Sequence, residues 1–147
     1  MPLLRLVAVM LLAVACGEAT TAPSVPARPA QRIASLSPAL TGTLIAMGWQ
    51  DRLVGRTPWC AGVDRVPVVG SLLEVDLEHL SAVKPDLILV QATASGVPSA
   101  LVQAAAQRGW RVAQVPCTSL EQVRRLEAAL AEAVRAPAPS TDTSARW

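Results

Sequence analysis

The chain has 147 residues, a formal net charge of +2, 52% hydrophobic residues and a mean hydropathy of +0.39. This length predicts a single domain, and scattered, mixed Arg and Glu argue against a nucleic-acid-binding protein. The sequence contains no Phe, no Tyr and only 4 Trp. We therefore predict a core built from Leu, Val and Ala.

The first fifteen residues have the pattern of a secretory signal peptide. Arg5 supplies a positive charge, and the apolar run from Leu6 to Val14 is too short to span a bilayer. The small residues that follow stand directly before Cys16, and this arrangement resembles the lipobox of bacterial lipoproteins. We predict a signal peptide over 1–15 and a lipidated Cys16 with a disordered Pro-rich tether over 16–30. A plain signal peptide with an incidental cysteine is the alternative.

Four short apolar segments between residues 31 and 118 have the composition of strands. The run from Leu87 to Val90 is continuously apolar, which is typical of a strand covered on both faces. The predicted strands span residues 32–36, 53–56, 87–90 and 112–115.

Helical patterns separate these strands. Asp76 is a candidate N-cap for a helix with Leu77 and Leu80 on one face, and Pro85 stops that helix. Ser37 and Pro38 mark the start of an earlier helix. Further helices are predicted over 97–108 and 119–135, the last of them opened by a capping box. Its predicted apolar stripe contains Leu120, Val123, Leu126 or Glu127, Leu130 and Val134.

Alternating strands and helices predict the α/β class. We expect a small three-layer α/β/α lobe over 31–118, built on a four-stranded, mainly parallel sheet. Residues 119–135 would then form a helix leading out of the lobe, and the Pro- and Ser-rich residues 136–147 a disordered tail.

Five sequence blocks occur in the order found in one family of receptors. They are RIASLSPALTGTLIAMG (32–48), LVGRTPWC (53–60), VPVVG (66–70), DLEHLSAVKPDLILV (76–90) and GWRVAQVPCTSLEQV (109–123). Together they resemble the N-terminal lobe of periplasmic binding proteins of the cobalamin and iron-siderophore type, the substrate-binding components of ABC importers.

The resemblance implies two lobes joined by one long helix, with ligand bound between them at the carboxyl ends of the strands. Residues 119–135 resemble the start of that inter-lobe helix, and the second lobe is absent from the sequence. We expect a truncated gene product or a fragment, with a free-standing one-lobe protein as the alternative.

The same resemblance suggests ligand-contacting residues. Trp59 lies in the loop after the second strand, where the family offers an aromatic ring to its ligand, and Leu72 stands where family members place another. Ser37, Pro38 and Gln91 also fall at the implied cleft. Backbone N–H groups at Ser37 and Pro38 could hold an anionic group, and simple helix capping is the alternative reading.

Glu78 matches the family position whose carboxylate docks on an Arg of the membrane permease; an ordinary solvated charge is the alternative. Cys60 and Cys117 could form a disulfide in an oxidising compartment. We expect them to follow strands on opposite sides of the sheet, however, which disfavours a bridge because their Cα atoms must approach within about 7 Å. His79 is the only histidine, so a receptor holding a transition metal through several histidines is not expected.

These features predict a lipid-anchored periplasmic or cell-surface binding protein with a corrinoid or metal chelate as ligand and an ABC permease as partner. No cofactor, resident metal, catalytic residue or nucleic-acid partner is expected. A non-transport lipoprotein that binds some other partner is one alternative. A flavodoxin-like enzyme domain is another, but the chain has no Gly-rich phosphate loop and no activated nucleophile motif.

Overall fold

The computed structural model describes residues 29–135, and these form one α/β lobe. The strands are β1 (Ile33–Ser35), β2 (Leu53–Arg56), β3 (Leu87–Gln91) and β4 (Arg111–Val115). The helices are α1 (Pro38–Ala46), α2 (Leu77–Ala82), α3 (Ser99–Arg108), α4 (Leu120–Arg124) and α5 (Leu126–Arg135), with a 3-10 turn at Gln50–Arg52.

The four strands form one sheet in the order β2-β1-β3-β4, and every neighbouring pair is parallel. The predicted α/β class and parallel sheet are therefore confirmed. From β1 the chain crosses to β2 on one side and then returns to β3 on the other. The order of the strands thus reverses between β1 and β3, which is the point where open α/β sheets bind ligands.

Helices cover both faces of the sheet, because successive strand residues point to opposite sides. On one face, α1 and α5 pack over Ile33, Leu87 and Leu89. On the other, α2 and α3 pack over Ala34, Ile88 and Val90. Both faces of the central strands are completely buried, as the continuous apolar run in β3 predicted.

The local signals that delimit α2 act as the sequence indicates. The Asp76 carboxylate accepts hydrogen bonds from the backbone N–H groups of Glu78 and His79, so Asp76 is the N-cap. The helix ends at Ala82, ahead of Pro85. Lys84, the residue before that proline, leaves the right-handed helical region but enters the left-handed one, with φ of 45°. Pro disfavours the α conformation before it, and here the chain reverses direction as well.

The single helix predicted over 119–135 is wrong in one respect, because it divides at Arg125 into α4 and α5. The capping box between Ser119 and Gln122 is present. The predicted apolar stripe holds only within α5, where Leu126, Leu130 and Val134 are buried. Leu120 and Val123 are 69% and 51% exposed. The turn at Arg125 lets α5 pack on α1 and β4 while α4 stays outside this core.

The predicted tether, 16–30, differs from the structure at its last residue. Ala30 is 1% exposed, and its N–H donates to the carbonyl of Val134 at 2.8 Å. The packed lobe therefore begins before the first strand. The predicted signal peptide, Cys16 and the tail 136–147 lie outside the described residues. Within residues 29–135, no helix has the length and apolar character needed to cross a membrane.

Candidate functional site

The carboxyl ends of the four parallel strands meet at one edge of the sheet, which we call the carboxyl edge. Ser37 follows β1, Trp59 follows β2, and Gln91 ends β3. The fold thus brings three of the five predicted ligand-contacting residues to this edge, and Pro38 joins them as the first residue of α1. These positions come from distant parts of the sequence, and parallel pairing is what assembles them.

Ser37 and Gln91 meet at the point where the strand order reverses. The hydroxyl of Ser37 donates to Oε1 of Gln91 at 3.3 Å, and it makes no capping bond to the backbone of α1. Ser37 has the extended backbone of an N-cap, with φ of −150°. Its side chain therefore links β1 to β3 rather than capping the helix, which corrects the capping alternative for the side chain.

Behind this edge lies a hydroxyl–thiol cluster, which comprises Ser35, Ser37, Thr41, Thr57 and Cys60. All five residues are at most 3% exposed. Oγ1 of Thr41 lies 2.9 Å from Oγ of Ser35 and 3.1 Å from Sγ of Cys60. Oγ1 of Thr57 lies 3.2 Å from the same sulfur. This cluster joins β1, α1 and the loop after β2, and no local sequence pattern predicts it.

Trp59 is the most exposed tryptophan of the described residues, at 68%. It stands in a tight turn in which the N–H of Cys60 donates to the carbonyl of Thr57 at 3.3 Å. Buried residues flank it on both sides, since Thr57 and Cys60 are 1% and 2% exposed. The turn therefore presents a large apolar ring to solvent from an anchored base. Such an exposed ring offers a surface on which a flat ligand can stack.

The assignment of Leu72 as a ligand-contacting residue stays a prediction. Leu72 is half-buried and packs against the core cluster under α2 and α3, whereas its neighbour Leu73 is 91% exposed. Both lie in a turn closed by the N–H of Ser71 donating to the carbonyl of Glu74 at 2.9 Å. The fully exposed apolar side chain of this turn is thus that of Leu73, and no local pattern distinguishes the two leucines.

Glu78 and His79 lie in the first turn of α2, and both are exposed. Nδ1 of His79 is 2.6 Å from Oδ2 of Asp76. The hydrogen bond from the His79 backbone, followed by that from its ring, lowers the pKa of the Asp76 carboxyl, and the same ring contact raises the pKa of His79. Nδ1 of His79 is therefore engaged by the carboxylate that caps α2.

Cys60 and Cys117 follow β2 and β4, the two outer strands of the sheet, and both are free thiols. Burial raises the pKa of the half-buried Cys117 thiol. Among residues 29–135, no group of three or more acidic, histidine or cysteine side chains is placed to hold a metal ion.

A cavity of ≈ 350 Å³ lies away from the predicted residues, between α3 and β4. Its wall is mainly apolar and includes Val102, Ala105, Trp110 and Val112. A smaller cavity of ≈ 220 Å³ lies between the turn that carries Leu72 and the start of α3. None of the five predicted ligand-contacting residues lines the larger cavity, although Ser95, Gly96 and Val97 of the loop after β3 do.

A doubly wound parallel lobe with polar and aromatic side chains at its carboxyl edge belongs to the class of α/β ligand-binding lobes. The sequence profile of the periplasmic binding protein family matches residues 33–145. The chain is therefore a member of the periplasmic binding protein family. No curated protein sequence matches the chain.

Several solved structures share this fold. The periplasmic heme-binding protein BhuT in complex with two hemes is 26% identical with a TM-score of 0.60, and the match covers 70% of this chain and 41% of that one. A periplasmic heme-binding protein from Pseudomonas aeruginosa is 22% identical with a TM-score of 0.58, covering 69% and 38%. The vitamin B12-binding protein BtuF of Vibrio cholerae is 24% identical with a TM-score of 0.54, covering 71% and 43%. The chain thus spans about two fifths of these proteins.

Proposed function

We propose that the described residues form the N-terminal lobe of an extracytoplasmic substrate-binding component of an ABC importer. Its ligand would be a cobalamin-like macrocycle or another metal chelate, bound at the carboxyl edge without chemical conversion. Support comes from the family, from the heme and vitamin B12 bound by proteins of the same fold, and from the exposed ring of Trp59. The position of that ring is the observation that carries the proposal.

The chemistry of the carboxyl edge fits a large, flat and mainly uncharged ligand. Trp59 offers an apolar surface, and the half-buried Gln91 offers a neutral amide at the strand-order reversal, whereas Ser37 is 3% exposed and its hydroxyl already donates to Gln91. Arg56, the charged residue at the end of β2, already donates to the carbonyls of Val66 and Thr57. Stacking on Trp59 would exclude water from both the ring and the ligand face, which is the main source of affinity in such sites.

A single lobe is expected to bind weakly. In the family arrangement implied by the sequence the ligand lies between two lobes, and each lobe provides about half of the contact area. The remaining contacts must still offset the lost freedom of the ligand. We expect dissociation constants for cyanocobalamin or hemin in the micromolar range or weaker, about −8 kcal/mol at most.

Isothermal titration calorimetry of the purified chain with cyanocobalamin and with hemin tests the proposal. Trp59→Ala should weaken binding of the preferred probe about tenfold, because a stacking surface is lost. Trp49→Phe is the matched control, since Trp49 packs on the core beneath α1 and stacks with Arg52 rather than facing the carboxyl edge. Equal affinities in wild type and Trp59→Ala would contradict the proposed site. Sub-micromolar binding would contradict the view that half of the contact surface is missing.

We further propose that Glu78 docks on a basic residue of the permease and that lipidation of Cys16 anchors the protein outside the cytoplasm. Glu78 is exposed at the start of α2, the end of that helix nearest the carboxyl edge. A complementary charge pair at such a rim contributes mainly to orientation and association rate. Glu78→Gln should reduce uptake of labelled cyanocobalamin in cells with the cognate permease, whereas Glu132→Gln on α5 should not. Unchanged uptake in Glu78→Gln would contradict this docking role.

A further inference from the structure

The buried hydroxyl–thiol cluster can form a continuous series of hydrogen bonds in which every donor proton has an acceptor. Ser35 Oγ donates to the carbonyl of Ser37 at 3.1 Å, and Thr41 Oγ1 donates to Ser35 Oγ at 2.9 Å. The thiol of Cys60 can then donate to Thr41 Oγ1, and the hydroxyl of Thr57 can donate to the sulfur. Each proton then has an acceptor, because Thr57 donates to Cys60, Cys60 to Thr41, Thr41 to Ser35 and Ser35 to the carbonyl of Ser37.

Cys60 is the central link of this chain of bonds. Its sulfur lies between Oγ1 of Thr41, at 3.1 Å, and Oγ1 of Thr57, at 3.2 Å. Thr41 lies in α1 and Thr57 at the start of the loop. A thiol is both a weak donor and a weak acceptor, so an aliphatic side chain of similar size would break both contacts. Within residues 29–135, no buried side-chain nitrogen or oxygen lacks a partner, so a broken link would leave a buried hydroxyl unsatisfied.

The loop that Cys60 anchors carries Trp59. We infer that Cys60 is a positioning residue, whose thiol, held between Thr41 and Thr57, fixes the Trp59 ring at the carboxyl edge. This inference rests on the proposed role of Trp59 as the stacking surface for the ligand. Because Ser37 belongs to the same cluster, the bonds set the spacing between the aromatic and the polar parts of the candidate site. A ring held in place before binding loses less freedom when the ligand arrives.

The position of Trp59 can be measured without any ligand, so failure of the ligand proposal would not affect this test. We suggest fluorine NMR of the full chain labelled with 5-fluorotryptophan, with the four signals assigned by replacing each tryptophan in turn. In Cys60→Ala and in Thr41→Val, the Trp59 signal should split or broaden about twofold or more, because the ring samples more than one position. Cys60→Ser keeps a donor and an acceptor at this position and should restore the single narrow signal.

Thr43→Val is the matched control. Thr43 lies in the same helix as Thr41, but its hydroxyl donates to the carbonyl of Ala39 at 3.0 Å and takes no part in the cluster. Its substitution should leave the Trp59 signal unchanged. The signal of Trp110, which packs on the other face of the sheet, reports whether each variant is folded.

A Trp59 signal unchanged in both Cys60→Ala and Thr41→Val, with that of Trp110 intact, would overturn the inference. A Trp59 signal that is split or broadened in Cys60→Ser as well would also overturn the inference. If Cys60→Ala or Thr41→Val does not fold, Thr57→Val replaces it, because it removes only the terminal hydroxyl, which donates to the sulfur of Cys60. An unchanged Trp59 signal in Thr57→Val would then overturn the inference in the same way.

Discussion

Nδ1 of His79 lies 2.6 Å from Oδ2 of Asp76, the residue that caps α2. Hydrogen bonding to Asp76 raises the pKa of His79 above its usual 6.5, and the bonds from His79 lower the pKa of Asp76 below 3.8. A cation in the first turn of a helix is normally unfavourable, so the contact with the carboxylate outweighs the helix dipole here. Both side chains are exposed, so the pair acts only on the first turn of α2.

The first prediction concerns the pH dependence of this pair. Because folding raises the pKa of His79, its stabilising contribution is fully present below pH ~6.5 and is lost as the pH rises through the pKa of the folded state. Because folding lowers the pKa of Asp76, its stabilising contribution is fully present above pH ~4 and is lost as the pH falls through the pKa of the folded state. The contribution should therefore be largest between about pH 4 and 6.5. Because His79 is the only histidine, proton NMR can follow its ring directly, and its pKa should exceed 6.5.

Asp76→Asn should move the pKa of His79 back toward the usual value, because the carboxylate is its largest favourable influence. Glu121→Gln is a suitable control, since Glu121 pairs with Arg125 at 2.7 Å on α4. A wild-type His79 that titrates at or below 6.5, or one that is insensitive to Asp76→Asn, would contradict the assignment.

Much of the fold could be predicted because its signals are local. Strand β3 is a continuous apolar run, and Asp76, a residue type that caps helices, stands directly before α2. Gly109 adopts the left-handed conformation that ends α3. Each of these depends on backbone conformations or periodicities set within a few residues. The parallel order then follows from short connections between adjacent elements.

The remainder depends on contacts between distant segments. The last helix divides at Arg125, beyond which α5 packs on α1 and β4, and no sequence pattern within the helix marks this point. The hydroxyl–thiol cluster joins Ser35 to Cys60 across twenty-five residues of sequence, which no periodicity records. The choice between Leu72 and Leu73 as the exposed residue is likewise made by packing against α3.

The second prediction concerns Gly70, which begins the turn carrying Leu72 and Leu73. Its φ is +89°, and a Cβ atom there would lie 2.2 Å from the carbonyl oxygen of Glu74. Gly70→Ala should lower the free energy of unfolding by at least about 2 kcal/mol, because the turn must open to relieve a backbone clash. Gly109→Ala is the control. Its φ is +69° but no atom lies within 4 Å of the added Cβ, so about 1 kcal/mol is expected.

Urea denaturation followed by circular dichroism gives both values, provided that the slope with denaturant is unchanged. Equal losses in the two variants would show that the conformation alone, and not the contact with Glu74, sets the cost at Gly70.

The third prediction concerns the two free thiols of the lobe. Cys117 is half-buried, whereas Cys60 is 2% exposed and held by two hydroxyls. N-Ethylmaleimide should therefore modify Cys117 faster than Cys60 in the native protein. The rate at Cys117 should increase from pH 7 to pH 9, because burial raises its pKa and the thiolate is the reactive form. Peptide mass spectrometry separates the two sites, and a denatured sample should be modified at both. Equal native rates would contradict the buried position of Cys60.

The fourth prediction tests whether α5 packs into the core of the lobe while α4 stays on its surface. Leu130 is 0% exposed beneath α1, whereas Leu120 is 69% exposed on α4. Leu130→Ala should lower the free energy of unfolding by about 3 kcal/mol through lost burial and a residual cavity. Leu120→Ala should change it by no more than about 0.5 kcal/mol. Urea denaturation of both variants supplies the comparison, and the substitution is chemically identical in the two. If Leu120→Ala cost as much as Leu130→Ala, α4 would bury its apolar face against another part of the protein, and the boundary at Arg125 would not separate core from surface.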